Sequence, residues 1–424
     1  MKALKLAFMW CLNSAPMAAG LRGFALRPSA VARTRPSKCT SSLEGGSTAK
    51  VVFLGTPSVA AHSLETLAQA AKESGGAWEI CCVVSQPAQL MGRGSKRKVT
   101  PSPVEAAASG LGIPVFSPEK AKDDAFLSAL EALEPDLCIT AAYGQWLPKR
   151  FLAIPRFGTL NIHPSLLPRW RGASPVQRCL EAGDAETGVS VLWTVSKMDA
   201  GNIAGQSRVV LGGDEKAPEL LDAMFELGTQ MLVGLLPSVW SGQCSPESSA
   251  AQGEEGVVTA DKIMAEESQV CFAYDTAQTV HNKIRGFAGW PGVWSTFAVG
   301  ENGPAERIKL VTTRVASAGE LPIGFHGTQS KWLNFLAGPC STPGSAALGD
   351  NGSWSTPLAF VWLVVLALAE VAVVGKGRVL VPCAGGSVLE LLEVQAPGKR
   401  VTDAKSFANG LRAPLQWVEE GGAK

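Results

Sequence analysis

From residue 50 onward the chain repeats one unit, a short apolar run, a turn, and then a stretch with helical spacing. Val51-Val52-Phe53-Leu54 ends in Gly55-Thr56-Pro57, and the spacing that follows predicts a helix over 60–71. Further strands are predicted over 80–84, 113–116, 137–142, 159–162 and 189–195, with helices over 101–109 and from about 218 to 236. Runs this apolar, alternating with helices, imply a parallel sheet covered on both faces. Such sheets bind ligands beyond the carboxyl ends of their strands. Gly55-Thr56-Pro57 lacks the Gly-x-Gly-x-x-Gly spacing of a dinucleotide site, so NAD or FAD has little support.

At 424 residues the chain is long enough for two domains, and 46% hydrophobic with 18% charged residues is globular rather than disordered. A Ser-, Gly- and Glu-rich linker at 241–256 separates a first domain (49–240) from a second (257–424). Short strand-like runs at 293–299, 308–311, 379–381 and 388–394 suggest that the second is a small barrel. An insertion at 327–374 interrupts it, Gly/Ser/Pro-rich to 356 and then apolar over 358–374 except for Glu370. That run is borderline for a membrane span, and a span would put the halves of one barrel on opposite sides of a bilayer. A buried element or a poorly folded insertion is therefore expected in preference to membrane association.

The ten cysteines are scattered without a Cys-x-x-Cys pair, which argues against a structural zinc site and a disulfide scaffold. Residues 1–43 carry seven lysines and arginines and no acid, in a Ser/Ala-rich background. This is the composition of a transit peptide, with mitochondrion as the expected destination and plastid as the alternative. A disordered basic tail would share it, and the apolar stretch 6–12 would also suit a secretory-type signal. Subtracting those seven from the 38 lysines and arginines leaves 31 against 37 acids, a net charge of about −6. Any RNA must then be held by a local basic patch.

The chemistry-bearing residues follow predicted strands. Asn161 and His163 are two apart in extended chain and so face the same way. Asp199 follows the apolar run 189–195, expected in the same sheet. An amide that donates to an oxyanion, an imidazole that exchanges protons near neutrality, and a carboxylate that orients it are the parts needed for acyl transfer to an amine. His62, His281 and His326 lack such neighbours and are read as satisfied core histidines.

Asn161-x-His163-x-Ser165-Leu166-Leu167-Pro168, with Asp199-x-Gly201, resembles the folate-dependent formyltransferase family. The longer stretch from Ser165 to Arg178 is similar to methionyl-tRNA formyltransferases in particular, and Thr140-Ala-Ala-Tyr-Gly144 and Gly183-Asp-Ala-Glu-Thr-Gly188 strengthen the likeness. The resemblance implies a Rossmann-like α/β domain with a parallel-rich sheet, followed by a small OB-like β-barrel that grips tRNA. It implies 10-formyltetrahydrofolate as co-substrate without a metal, and Asn161, His163 and Asp199 as the catalytic group. Tyr143, Gly144, Ser165, Leu166, Leu167 and Pro168 are then expected to line the folate pocket. The acceptor would be the amino group of methionyl initiator tRNA, in organellar translation initiation, and the protein a monomer. The phosphate-binding Gly-rich loop of glycinamide ribonucleotide formyltransferases is absent.

After the second strand, Gly92-Arg93-Gly94-Ser95-Lys96-Arg97-Lys98 places four cations and two glycines beside the expected site. Such a run is often only a solvated loop. This one resembles the loop by which the family enters the acceptor arm of tRNA, and it assigns Arg93, Lys96, Arg97 and Lys98 to RNA binding. Ala88-Gln89-Leu90-Met91 departs from the family's more charged, Pro-containing stretch.

Overall fold

The computed structural model describes residues 48–92, 97–299, 303–316, 372–374, 377–411 and 415–417. The predicted transit peptide, most of the predicted insertion, Arg93 and Lys96 lie outside the described residues.

The first domain's strands are β1 (Ala49–Gly55), β2 (Trp78–Val84), β3 (Gln89–Met91), β4 (Lys98–Thr100), β5 (Val115–Phe116), β6 (Leu137–Ala141), β7 (Thr159–His163), β8 (Arg171–Gly172), β9 (Glu186–Trp193) and β10 (Ile203–Val210). Its helices are α1 (Ser58–Glu73), α2 (Pro103–Leu111), α3 (Asp124–Ala132), α4 (Lys149–Leu152), α5 (Pro175–Ala182) and α6 (Ala217–Trp240). The main sheet runs β10-β9-β7-β6-β1-β2-β5. In β1, Val51 and Phe53 join the core under α1, α2 and α6, while Val52 and Leu54 join Phe126, Leu130 and Phe151 on the opposite face. This two-sided burial is what makes the strand apolar at every position.

One edge departs from the parallel pattern, since β9 runs antiparallel to both β7 and β10. The connection 194–202 is too short for a crossover helix, so β10 must return antiparallel. Helix α2 starts later than the predicted 101, because the Ser102 hydroxyl accepts from Glu105 N at 3.0 Å and leaves Pro103 in the first helical position. Helix α6 is long and apolar enough to cross a membrane, but it lies on the sheet, where a Cβ on Gly228 would meet Ile162 and Val189 at 2.6 Å.

The predicted linker does not leave the first domain. Ile203 and Ala250 exchange backbone hydrogen bonds, and β11 (Thr259–Ala260) pairs parallel with β8. Beyond it come α7 (Ala277–Gly286), β12 (Val293–Val299), β13 (Ala305–Val315), β14 (Ala372–Val374), β15 (Arg378–Pro382), β16 (Val388–Gln395), β17 (Thr402–Asp403), α8 (Ala404–Asn409) and β18 (Leu415–Trp417). They form an OB-like antiparallel sheet in the order β14-β15-β16-β13-β12-β18, with β17 on β16. β13 outruns the predicted 308–311 because it pairs with β12 through one half and β16 through the other.

The domains meet at α5 and α7, where Gly286 approaches α5 so closely that a Cβ there would sit 2.8 Å from Gln177 O. Arg178 of α5 binds both oxygens of Glu267, at 2.7 and 3.0 Å, and His281 of α7 bridges Thr313 and Gly213 O, each at 3.1 Å.

Candidate active site

Beyond the carboxyl ends of the parallel strands β6 and β7 lies a cavity of about 600 Å³. Asn161, His163 and Asp199 all line it, the first two from alternate positions of β7 and the third from the connection after β9. Thr140 of β6 stands beside Asn161 in the parallel register, and its hydroxyl donates to Asn161 Oδ1 at 2.7 Å. With the amide oxygen engaged there, the Asn161 nitrogen is left to donate into the cavity.

The buried His163 ring is fixed from its far side. Its Nε2 lies 2.9 Å from Trp170 O, and a carbonyl can only accept, so Nε2 carries a hydrogen. Nδ1 then faces Asp199, with Oδ2 at 3.7 Å. Trp170 holds its carbonyl there in a left-handed backbone conformation, φ 65°, which costs a non-glycine residue about 1–2 kcal/mol. Asp184 clamps it, accepting from Trp170 Nε1 at 2.8 Å and from Arg169 at 2.8 and 2.7 Å, while the Arg169 guanidinium lies over the indole. Burial pushes the Asp184 carboxyl up, but the hydrogen bonds from Arg169 and Trp170 outweigh it and hold the group below its ordinary value.

Asp199 is likewise left-handed, φ 48°, and its Oδ2 accepts from Gly172 N at 3.0 Å. Gly172 has φ 135°, and a Cβ on it would sit 2.5 Å from Ala260 O, so β8 can pair with β11 only through glycine. Gly201 is needed for a similar reason: the chain turns back so tightly that a Cβ would overlap Trp193 O.

Tyr143 and Gly144 line the cavity. Tyr143 is buried, its hydroxyl has no hydrogen-bond partner among the described residues, and burial pushes the phenol up to about 12. Ser165, Leu166, Leu167 and Pro168 stand outside the cavity walls, unlike the expectation for a folate pocket. Their polar groups are spent internally: Ser165 Oγ donates to Arg169 O at 2.8 Å, Ser190 Oγ to Ser165 O at 2.7 Å, and Gln206 Nε2 to Leu167 O at 3.0 Å. They build the turn that carries the chain from His163 to the Trp170 carbonyl. Arg97 and Lys98 are exposed on the β3–β4 hairpin, together with exposed Leu90, Met91 and Val99.

Sequence reasoning missed Trp146 and Met198, which line the cavity yet are 59% and 55% exposed. A large apolar side chain in a loop beside a catalytic motif was the available signal. Trp170 and Gly172 act through backbone atoms, for which residue type gives no signal.

The first domain matches the family model described as formyl transferase over residues 49–236, and the second matches the formyl transferase C-terminal domain over 262–336 and 350–412. The methionyl-tRNA formyltransferase of Methylococcus capsulatus is 34% identical over 360 residues, 85% of this chain and 96% of that protein. That of Listeria innocua is 38% identical over 247 residues, 58% of this chain and 75% of that protein. Among solved structures, the N-formyltransferase from Helicobacter canadensis, in complex with folinic acid and dTDP-3-aminofucose, superposes with a TM-score of 0.51 at 13% identity. It covers 82% of this chain and 100% of its own.

Proposed function

This chain belongs to the formyl transferase family, with the methionyl-tRNA formyltransferases among its relatives, and on that premise we propose that it transfers a formyl group from 10-formyltetrahydrofolate to the amino group of methionyl initiator tRNA. The observation that carries this reading is the convergence of Asn161, His163 and Asp199 on one cavity.

The cavity suits a reduced folate. Its volume of about 600 Å³ lies within the range of small-molecule sites, and Leu147, Val195, Met198 and Phe225 offer apolar walls. When bound, the co-substrate supplies an activated formyl carbon to the attacking methionyl amine. Asn161 Nδ2 donates to the formyl oxygen as it gains negative charge, and the Thr140 bond keeps the amide from turning its oxygen there instead. His163 Nδ1, the ring nitrogen not committed to Trp170, is placed to exchange the amine's proton, and the Asp199 carboxylate faces it at 3.7 Å.

The RNA reading rests on the β3–β4 hairpin, whose Arg97 and Lys98 are exposed next to the carboxyl ends of the strands, and on the second domain docked through α7. Residues 1–43 favour import into an organelle, mitochondrion before plastid.

The test is formyl transfer from 10-formyltetrahydrofolate with methionyl initiator tRNA as acceptor. Incorporation that disappears in His163→Ala supports the reading. Equal transfer to free amino sugars or to water without tRNA overturns the acceptor. A fluorescent fusion to residues 1–43 tests the compartment, and a cytosolic signal defeats the organellar assignment.

A further inference from the structure

Over 251–256 the predicted linker is exposed at every residue except Gln252, which turns inward and is half-buried. Its amide is fully used. Nε2 donates to Asp199 O at 2.8 Å and to Gly201 O at 2.7 Å, while Oε1 accepts from Arg171 Nε at 3.0 Å and Nη2 at 2.7 Å. Arg171 precedes Gly172, whose N–H holds the Asp199 carboxylate. The contacts therefore close a ring from the Asp199 carboxylate through Gly172, Arg171 and Gln252 back to the Asp199 carbonyl.

We propose that Gln252 is a positioning residue for the formyl transfer reaction, fixing the left-handed backbone of Asp199 so that its carboxylate meets His163. The inference rests on the reading of Asp199 as catalytic. A left-handed aspartate holds that conformation only where its surroundings over-determine it. The tight turn at Gly201 accounts for the direction of the loop, and the paired carbonyls on Gln252 account for its depth. Because Gln252 belongs to the segment between the domains, the catalytic loop of the first domain is completed by a residue outside its own sheet and helices.

The experiment compares the full-length wild type with Gln252→Ala, Gln252→Glu, Asp199→Asn and the Gln252→Ala/Asp199→Asn double variant in formyl transfer. A displacement of about an ångström at a reacting group costs up to about 100-fold, so Gln252→Ala should lower kcat by about 10- to 100-fold with little change in the KM of the formyl donor. Gln252→Glu keeps the volume and the Arg171 partner but loses both donors, and it should fall at least as far. In the Asp199→Asn background, Gln252→Ala should cost little more, since both changes act through one group. Near wild-type kcat in Gln252→Glu would reduce Gln252 to packing and overturn the proposal, as would a cost that multiplies fully in the double variant. An inactive Asp199→Asn beside an unimpaired Gln252→Ala overturns this proposal alone. An active Asp199→Asn overturns the catalytic reading and this proposal with it.

Discussion

His163 Nδ1 stands 3.7 Å from Asp199 Oδ2, longer than a hydrogen bond, while the opposite ring nitrogen is held at 2.9 Å by Trp170 O. The imidazole is thus anchored on the side away from the reaction and left slack on the side that uses it. Asp199 is anchored separately, through Gly172. Such loose pairs tighten when substrate closes the site, so the gap fits a ligand-free geometry.

The Asn161 amide carries the first prediction. Its oxygen is taken by Thr140, so only its nitrogen serves the cavity. Asn161→Ala should lower kcat by about 100- to 1000-fold, the cost of one oxyanion donor, with the KM for tRNA little altered. Thr140→Val should fall less far, because it frees the amide to rotate without removing it. Steady-state kinetics checks both, and a Thr140→Val loss equal to that of Asn161→Ala would count against the orienting role.

How much of this was legible beforehand depended on what each residue contributes. β1 and β6 were readable because burial on both faces leaves almost wholly apolar runs at Val51–Leu54 and Leu137–Ala141. Asn161, His163 and Asp199 were readable because their chemistry resides in side chains. The short α5 was not assigned as a helix, since its two turns bury only Pro175, Val176, Cys179 and Leu180 and owe their place to α7. The Trp170 carbonyl and the Gly172 N–H were hidden because any residue carries those groups, and only the fold aims them. Ser165 to Pro168 were misplaced for the converse reason: their side chains shape the chain path to Trp170 rather than touch the cavity.

Gly172 joins the linker to the site. Gly172→Ala would force a Cβ to within 2.5 Å of Ala260 O in a backbone region that L side chains rarely adopt. The β8–β11 pairing should open and the Asp199 carboxylate lose its donor. The expected result is a lower melting temperature together with a loss of turnover comparable to that of Asp199→Asn. A variant that melts and turns over like wild type would show that this glycine is not required.

Asp184 gives the pH dependence. Its folded value lies below the ordinary 3.8, so the clamp on Arg169 and Trp170 stabilises the protein above that pH and is lost as pH falls through the depressed value. Asp184→Asn should lower the melting temperature at neutral pH, and the difference from wild type should close in acid below 3.8. Thermal unfolding followed across that range checks it. A gap that stays constant with pH would mean that charge plays no role in the clamp.

Arg97 and Lys98 give a salt dependence. Each phosphate contact adds about 0.7 to 0.9 to the slope of log affinity against log salt, depending on whether the RNA is single- or double-stranded there. Replacing both by Gln should therefore flatten the slope for methionyl initiator tRNA by between one and two, and leave kcat at saturating tRNA almost unchanged. Binding titrations from low to moderate salt measure it. An unchanged slope would return these two side chains to the status of solvated cations on an exposed hairpin.

The Tyr143 hydroxyl is buried without a partner among the described residues, which costs a folded protein about 1–3 kcal/mol relative to a phenyl ring of the same shape. Tyr143→Phe should therefore raise the melting temperature of the ligand-free protein. If that hydroxyl finds its partner in the folate, the same change should weaken donor binding, and the two effects then carry opposite signs. A structural tyrosine would move stability alone. Melting curves with and without reduced folate separate the cases: the stabilisation given by the ligand should shrink in Tyr143→Phe. An equal ligand-induced shift in both proteins would place the hydroxyl outside the binding interaction.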